Sequence, residues 1–382
     1  MTHRIMKRLP KFVKKSLEYK LIKQALTTSK RVLPPYSSKF SKRKYEQYQL
    51  FVILLYKVWV NVSYRDVIEV ISSNPTFVSL LSLSEVPHFT TIQKFCKRIS
   101  MKLITSVFSK VVKSFLGLLG NIIIIDSTGF SVNYHSFYYD KRLNDFGKKV
   151  KRKYVKTTIV VDDKSQIVVA FDVHFGEIHD SKEFKKTLES MEREIINKFK
   201  LIIGDKGYDS EENHVIAKKH DLLAIIPVRN EDVPIHRTKG ENRKRMKRHL
   251  PEEYKRRPIV ETVHSAIKRK SGSFVRSRIP ELAEKEIALK IIAYNIRRVI
   301  IINNSIFIFI VFRFFTKDES LAFQSGDVNK KLINFCLVYI SEGVWETNLK
   351  RPSERDYPPS PKSMSPTPPI TPSPRKGIGV IG

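Results

Sequence analysis

Two aspartates, Asp126 and Asp205, each follow a short apolar run, NIIIID and LIIGD. A carboxylate at the C-terminal end of a buried strand is fixed by the sheet and open at its edge, where an α/β sheet places its chemistry. Two hard carboxylates on separate strands suit Mg²⁺ or Mn²⁺, which bind through few protein oxygens and keep room for a substrate phosphate. One such Asp alone would be read as a turn former. Asp162, Asp163 and Asp172 also follow apolar runs. The first two fall in a hairpin turn, where Asp is expected; Asp172 sits mid-strand and ranks below the chosen pair.

A third acid comes from YKRRPIVETVHSAIK, which spaces Tyr254, Arg257, Glu261 and Lys268 as Tyr-x2-Arg-x3-Glu-x6-Lys. Proline is tolerated in a first helical turn, so a helix is expected to start at Pro258 with Glu261 near its N-terminus. Lys268 then falls about 20° from Glu261 around the helix, on the same stripe. Val260, Val263, Ala266 and Ile267 lie on the other side and can pack on a sheet. A charged stripe over an apolar back is also what any surface helix presents.

The elements that must position these groups begin at Asn121. NIIIID reads as a buried strand, TTIVV and IVVAFDVHF flank the turn DDKS as a hairpin, and FKLIIGD and LLAIIPV read as further strands. Asp180 and Glu183 stand at capping-box spacing ahead of a helix through FKKTLESMEREI, and Asp209-Ser210 caps another through Ala217. A basic loop, the Pro258 helix and a long amphipathic helix from Glu281 to Ile302 follow. The order β, β, β, α, β, α, β, α argues for an α/β domain with a mixed sheet, and the leading hairpin fits an RNase H-like layout better than a dinucleotide-binding unit. Neither GxGxxG nor GxxxxGK[ST] occurs, so dinucleotide and P-loop readings lack support.

Residues 45–119 pattern as helices. QLFVILLYKVWV reads as a buried one, Tyr64 to Ile71 and Phe77 to Leu83 as shorter ones. In VPHFTTIQKFCKRIS, Thr90 can cap, Ile92, Phe95, Cys96 and Ile99 form an apolar face, and Gln93, Lys94, Lys97 and Arg98 form the other. Short helices ending in one with a basic outer face resemble a helix-turn-helix module, and equally a bundle with a solvated face.

Charge sets the partner. Over 382 residues, 70 Lys and Arg against 38 Asp and Glu give +32, which favours a polyanion: nucleic acid first, an anionic membrane second. Two cysteines, Cys96 and Cys336, build no disulfide framework and, with scattered histidines, no zinc spacing. The basic first 44 residues lack the apolar core of a signal peptide. The best membrane candidate, Val299 to Phe315, is interrupted by Asn303, Asn304 and Ser305 and contains Arg313. A soluble, intracellular chain is expected.

Together these motifs resemble the DDE transposases of bacterial and archaeal insertion sequences, particularly families four and five, whose third motif is Tyr-Arg-Glu-Lys at the spacing seen here. IIIIDSTGF resembles their first Asp motif and LIIGDKGYDS the second; GEIHDSKEF resembles the His-Asp segment between, and SYRDVIEVI and VPHFTTIQKF their N-terminal helical region. The likeness runs from about residue 45 to 302. It implies that Asp126, Asp205 and Glu261 hold two divalent ions, Mg²⁺ or Mn²⁺, for DNA cleavage and strand transfer. Lys268 and Arg257 would hold phosphates, and Tyr254 would stack on a displaced base or position a phosphate. Lys94, Lys97 and Arg98, the Lys141–Lys156 cluster with Lys151, Arg152 and Lys153, and the Arg237–Arg248 cluster with Arg243 and Arg245 would bracket the site as a track for double-stranded DNA. A homodimer on DNA is expected on mechanistic grounds, in the cytoplasm of a prokaryotic cell at the nucleoid. Competing readings are a metal-dependent nuclease of the same fold and a non-catalytic DNA-binding relative.

The expected organisation is a basic arm (1–44), an all-helical DNA-binding region (45–119), an RNase H-like catalytic domain (120–302) and an extension (303–382). Nine of the nineteen prolines lie between Pro352 and Pro374, a composition that cannot pack a core, so a disordered tail is expected there. The family usually ends soon after a helix like ELAEKEIALKIIAYNIRRV, so the extension departs from its pattern.

Overall fold

The computed structural model describes residues 16–132, 154–176 and 178–315 together with Arg142 and Asp145; the side chains of Ser181 and of residues 305–315 are outside the description. The chain divides into Met1–Phe314 and Phe315–Gly382, and the contacts that matter lie in the first unit. The proline-rich tail and the Lys151–Lys153 cluster fall outside the described residues.

The sheet grows from one continuous strand, β1 (Ile122–Val132). Ile122 to Ile125 are all buried, and such an unbroken run needs cover on both faces. The hairpin β2 (Tyr154–Asp162) and β3 (Val168–Phe175) adds antiparallel to one side of β1. On the other side β4 (Leu201–Ile203) and then β5 (Leu223–Ile225) add in parallel. The order is β3-β2-β1-β4-β5, a mixed sheet within an α/β architecture, and β6 (Phe274–Val275) pairs with the far end of β1. In the hairpin turn Asp162 accepts from Gly120 N at 2.8 Å and from Ser165 N and Oγ at 2.6 Å, so it works as a turn residue.

Ahead of the sheet the described chain is helical: α1 (Leu17–Lys30), α2 (Gln47–Val60), α3 (Tyr64–Ser72), α4 (Pro75–Leu80), α5 (Phe89–Arg98) and α6 (Met101–Lys113). The helix α2 is buried almost all round because its run is apolar on every face, and α3 starts at a Ser63–Asp66 capping box. After the hairpin come α7 (Asp180–Glu189), α8 (Arg193–Ile196), α9 (Glu211–Lys219), α10 (Glu241–Arg248), α11 (Pro258–Ser271) and α12 (Pro280–Phe315). One hydrophobic core runs without a break from the helices into the sheet. Phe108 of α6 meets Phe171 of β3 edge-on at 4.7 Å, and Lys270 of α11 lies over the Trp59 ring of α2 at 4.5 Å.

Several local expectations change. Thr90 lies inside the first turn of α5 and bonds the His88 ring at 2.8 Å; His88 is the cap residue. Asp180 and Glu183 form no capping box, because both carboxylates reach Lys156, at 2.6 and 3.1 Å. The helix they open stops at Glu189, short of its expected extent. The basic run expected as a loop contains α10, whose Arg243 has an acidic partner. The last helix continues past its expected end at Ile302 to Phe315. No helix among the described residues is long and apolar enough to cross a membrane.

Candidate active site

Register brings the first two acids together. The parallel pairing of β1 with β4 runs from Ile122↔Leu201 to Ile124↔Ile203, so two residues further on Asp126 and Asp205 come abreast where that pairing has ended. Neighbouring strands lie about 4.8 Å apart. Asp126 is therefore not at the end of its strand, as its sequence suggests: β1 continues because β2 still pairs with it, Asp126 opposite Ile159. It faces an edge all the same, because β4 has stopped. Asp205 opens a tight turn, its Oδ1 accepting from Gly207 N at 2.8 Å.

Glu261 arrives on α11, which begins at Pro258 as expected. Val260, Val263 and Ile267 are buried against the core, with Ala266 half-buried beside them, and Glu261 is exposed. Burial of the apolar side orients the helix so that its start reaches Asp205 beyond β4 and its second turn reaches Asp126 within β1. Arg257 ties the acids to one another: its guanidinium bonds Glu261 at 2.6 Å and reaches Asp205 at 3.9 Å. Asp126 also feels Arg257, Asp205 and Glu261. Its carboxyl is raised to about 6, chiefly by burial and further by the two neighbouring carboxylates, while Ser127 N–H and Arg257 oppose the rise.

The floor of the site comes from α11 and β1. His264 lies 3.8 Å from Asp126 and is pushed down to about 4, first by burial and then by Lys268, so it is a neutral ring at ordinary pH. Lys268 donates to Thr128 Oγ1 at 2.6 Å and lies over Phe130 at 5.3 Å; burial lowers its pKa. It stands on the same stripe as Glu261 but is anchored two residues along β1 from Asp126. Tyr254 is part-buried, its hydroxyl pKa raised by burial, and its backbone carbonyl accepts from Arg257 N at 3.0 Å.

A fourth acid belongs here. A Cβ on Gly207 would meet Asp205 Oδ1 at 2.8 Å and Asp180 Oδ2 at 2.9 Å, so both carboxylates crowd the backbone of that glycine and any side chain would displace one. Behind Asp180, Lys156 bridges to Glu183, Glu183 accepts from Thr158 at 2.6 Å, and Ser127 bonds both Thr158 and Tyr208, at 2.7 and 2.8 Å. The network braces the strand beside Asp126. The readable trace of Asp180 was the HD pair in GEIHDSKEF, which looked like a helix cap. The hydroxyl pairs link residues distant in sequence and left no trace.

The donor chemistry fits a hard divalent cation: carboxylate oxygens only, with two of the anions close enough to raise the pKa of Asp126. Among the described residues, though, no three His, Cys, Asp or Glu side chains stand close enough to enclose an ion. The Arg257 guanidinium supplies positive charge to Glu261 and Asp205 in this arrangement.

The basic positions separate. Lys94, Lys97 and Arg98 are exposed on α5, as its periodicity requires. Arg243 is committed elsewhere, forking onto Asp209 through Nε and Nη2, both at 2.7 Å, with the Asp209 side chain only 2% exposed. A fork matched to a buried carboxylate is not free for phosphate. Arg245 is exposed and borders a cavity at the start of β5, the end of the sheet away from Asp205.

Residues 118–296 match a family model described as a transposase DDE domain, and residues 8–98 match one described as a transposase domain (DUF772). No curated protein matches the chain.

Proposed function

The chain carries a transposase DDE domain behind a second transposase domain and acts in DNA transposition; from that premise we propose that Asp126, Asp205 and Glu261 are its catalytic carboxylates, on an RNase H-like sheet, in the Tyr-Arg-Glu-Lys subgroup of insertion-sequence families four and five. The observation that carries this reading is the convergence of Asp126 and Asp205 by strand register with Arg257, from the Glu261 helix, in contact with both Asp205 and Glu261.

The three carboxylates would hold two divalent ions, Mg²⁺ or Mn²⁺. When bound, such ions stabilise both the attacking and the leaving oxygen of an in-line phosphoryl transfer. The rest falls to side chains. Arg257 leaves Glu261 for a phosphate oxygen, where a guanidinium fork binds as well as it does to carboxylate. Lys268, fixed on Thr128, holds a second phosphate as a point charge. Tyr254 borders the same opening and stacks on or positions the strand. His264, neutral and buried beneath Asp126, excludes water from that carboxylate's inner side. Asp180 and Lys156 hold the Gly207 turn and with it Asp205.

Water attacks the phosphodiester at the element's end, leaving a 5′-phosphate and a free 3′-hydroxyl; that hydroxyl then attacks a target phosphodiester and expels a target 3′-hydroxyl. Two ends must meet for joining, which calls for a homodimer on double-stranded DNA. Lys94, Lys97 and Arg98 on α5, Arg245 on α10 and the Lys151, Arg152 and Lys153 cluster would carry its backbone, in a helical region (45–119) ahead of the catalytic domain (120–302) and within that domain itself. The setting is the cytoplasm of a prokaryotic cell, at the nucleoid.

The test is a supercoiled plasmid carrying the element's own ends, incubated with the protein and Mg²⁺ or Mn²⁺. Cleavage and joining at those ends by wild type, lost in Glu261→Gln while DNA binding persists, is the expected result. Equal cleavage by Glu261→Gln would remove Glu261 from the site.

A further inference from the structure

A second cavity, of about 380 Å³, opens where α2, the start of α3 and α5 meet the segment leading into α12. Lys57, Tyr64, Gln93, Arg276 and Arg278 are among the side chains that line it. Lys57 is the unusual member: it is 4% exposed, and its ammonium has no hydrogen-bond acceptor among the described residues. It lies over the Tyr64 ring at 4.6 Å, and burial lowers its pKa. An ammonium largely withdrawn from water and without an acceptor is costly, and a ring face offsets only part of that cost.

The neighbourhood does not supply the missing anion. Glu286 is the carboxylate nearest in charge to Lys57, but it already accepts from Arg276 N and Ser277 N at 3.1 Å and from Ser277 Oγ at 2.7 Å. Lys290, also buried, stands 3.9 Å from it. The Arg276 guanidinium reaches Asn61 O at 2.9 Å, while Arg278 is exposed with no hydrogen-bond or ion-pair partner among the described residues. Cations outnumber acids, and the excess points into the cavity. The walls are also held in place: Lys285 of α12 donates to Cys96 O and Lys97 O at 3.4 and 3.1 Å, fixing the C-terminus of α5 to α12. Gln93 lines the cavity, and Lys97, one helical turn on, continues its side of α5 toward solvent.

We propose that this cavity binds a backbone phosphate of DNA lying along α5, with Lys57 and Arg278 as the anion's partners. The inference rests on the reading that the helical region contacts DNA, and it adds a fixed phosphate seat where that region joins the catalytic unit.

The test is anisotropy of a labelled duplex carrying the element's end, without divalent metal, over a salt series. Wild type would be compared with Lys57→Met, which keeps the apolar stem, and with Arg278→Gln. Each variant should bind about tenfold more weakly, the loss of one charge-assisted contact, and the slope of log affinity against log salt should become shallower by about one. If Lys57→Met fails to fold in a thermal scan, the exposed Arg278→Gln carries the test alone. Wild-type affinity and slope in the folded variants would overturn the proposal. So would inorganic phosphate stabilising wild type but neither variant while DNA affinity stays unchanged, which would assign the seat to a free anion. Because no cleavage is read, failure here leaves the carboxylate assignment standing.

Discussion

The chain gathers charge of opposite sign in two places. Where β4 ends alongside β1, Asp126, Asp205, Glu261 and Asp180 face Arg257 and Lys156. At the junction of α2, α5 and α12, Lys57, Lys290, Arg276 and Arg278 face Glu286. Neither group balances itself. The first has carboxylate to spare and the second has cation to spare, so each would suit a ligand of the other sign: the proposed divalent metal in one, the proposed phosphate in the other. They also differ in how they are held. Strand register and a bracing hydroxyl network set the acids, whereas helix ends tied by Lys285 set the cations.

Removing charge from the acidic group should have the largest effect. Asp126→Asn or Glu261→Gln should lower end cleavage about a thousandfold, the scale of the several kcal/mol that metal-assisted charge stabilisation supplies, with the thermal midpoint little changed for the exposed Glu261. Phe130 is the structural link between the two groups, since Lys268 and Lys290 both lie over its ring, at 5.3 and 5.5 Å. Phe130→Ala should cost about 3 kcal/mol or more in denaturant unfolding; a cost near zero would mean that the two groups share no packing.

The cationic group should show itself as pH dependence. Burial pushes Lys290 down to about 8, with Glu286 opposing. The unfolded chain then binds more protons than the folded one between about pH 8 and the ordinary lysine value near 10.4, so this group makes stability rise with pH across that window. Lys290→Met should flatten the rise, which integrates to about 3 kcal/mol at most; an unchanged pH profile would contradict the assignment. The smallest effect concerns Arg257. If its guanidinium supplies the positive charge among the acids, Arg257→Gln should bind Mn²⁺ several-fold more tightly in calorimetry, by roughly 1 kcal/mol. Weaker binding would mean that Arg257 shapes the site for metal and does not compete with it.

The acids were legible because a β-branched run followed by Asp is both a strand and a place where chemistry can stand. The Glu261 helix was legible from Pro258 and the apolar back of α11. Asp126 lies within β1 because of its partner strands: STGFSV carries no buried run of its own, and pairing with β2, and at Ser131–Val132 with β6, keeps it extended. The two residues of β6 are too few for any periodicity. Arg243 looked free because its partner Asp209 lies 34 residues away, and a basic stretch in sequence says nothing of a tertiary fork. Lys57 had a visible sign, a lysine inside the apolar run QLFVILLYKVWV, but its cavity needs the distant Arg276 and Arg278.

The most direct test of the account is a ligand exchange at Asp126. Asp126→Cys replaces a hard oxygen donor with sulfur, which Mg²⁺ accepts poorly and Mn²⁺ tolerates better. The account predicts that end cleavage by this variant is lost with Mg²⁺ and returns in part with Mn²⁺, while Asp126→Ala stays inactive with both. Cleavage by Asp126→Cys at wild-type rate with Mg²⁺, or equal loss with both ions in a folded, DNA-binding chain, would contradict a metal held by Asp126.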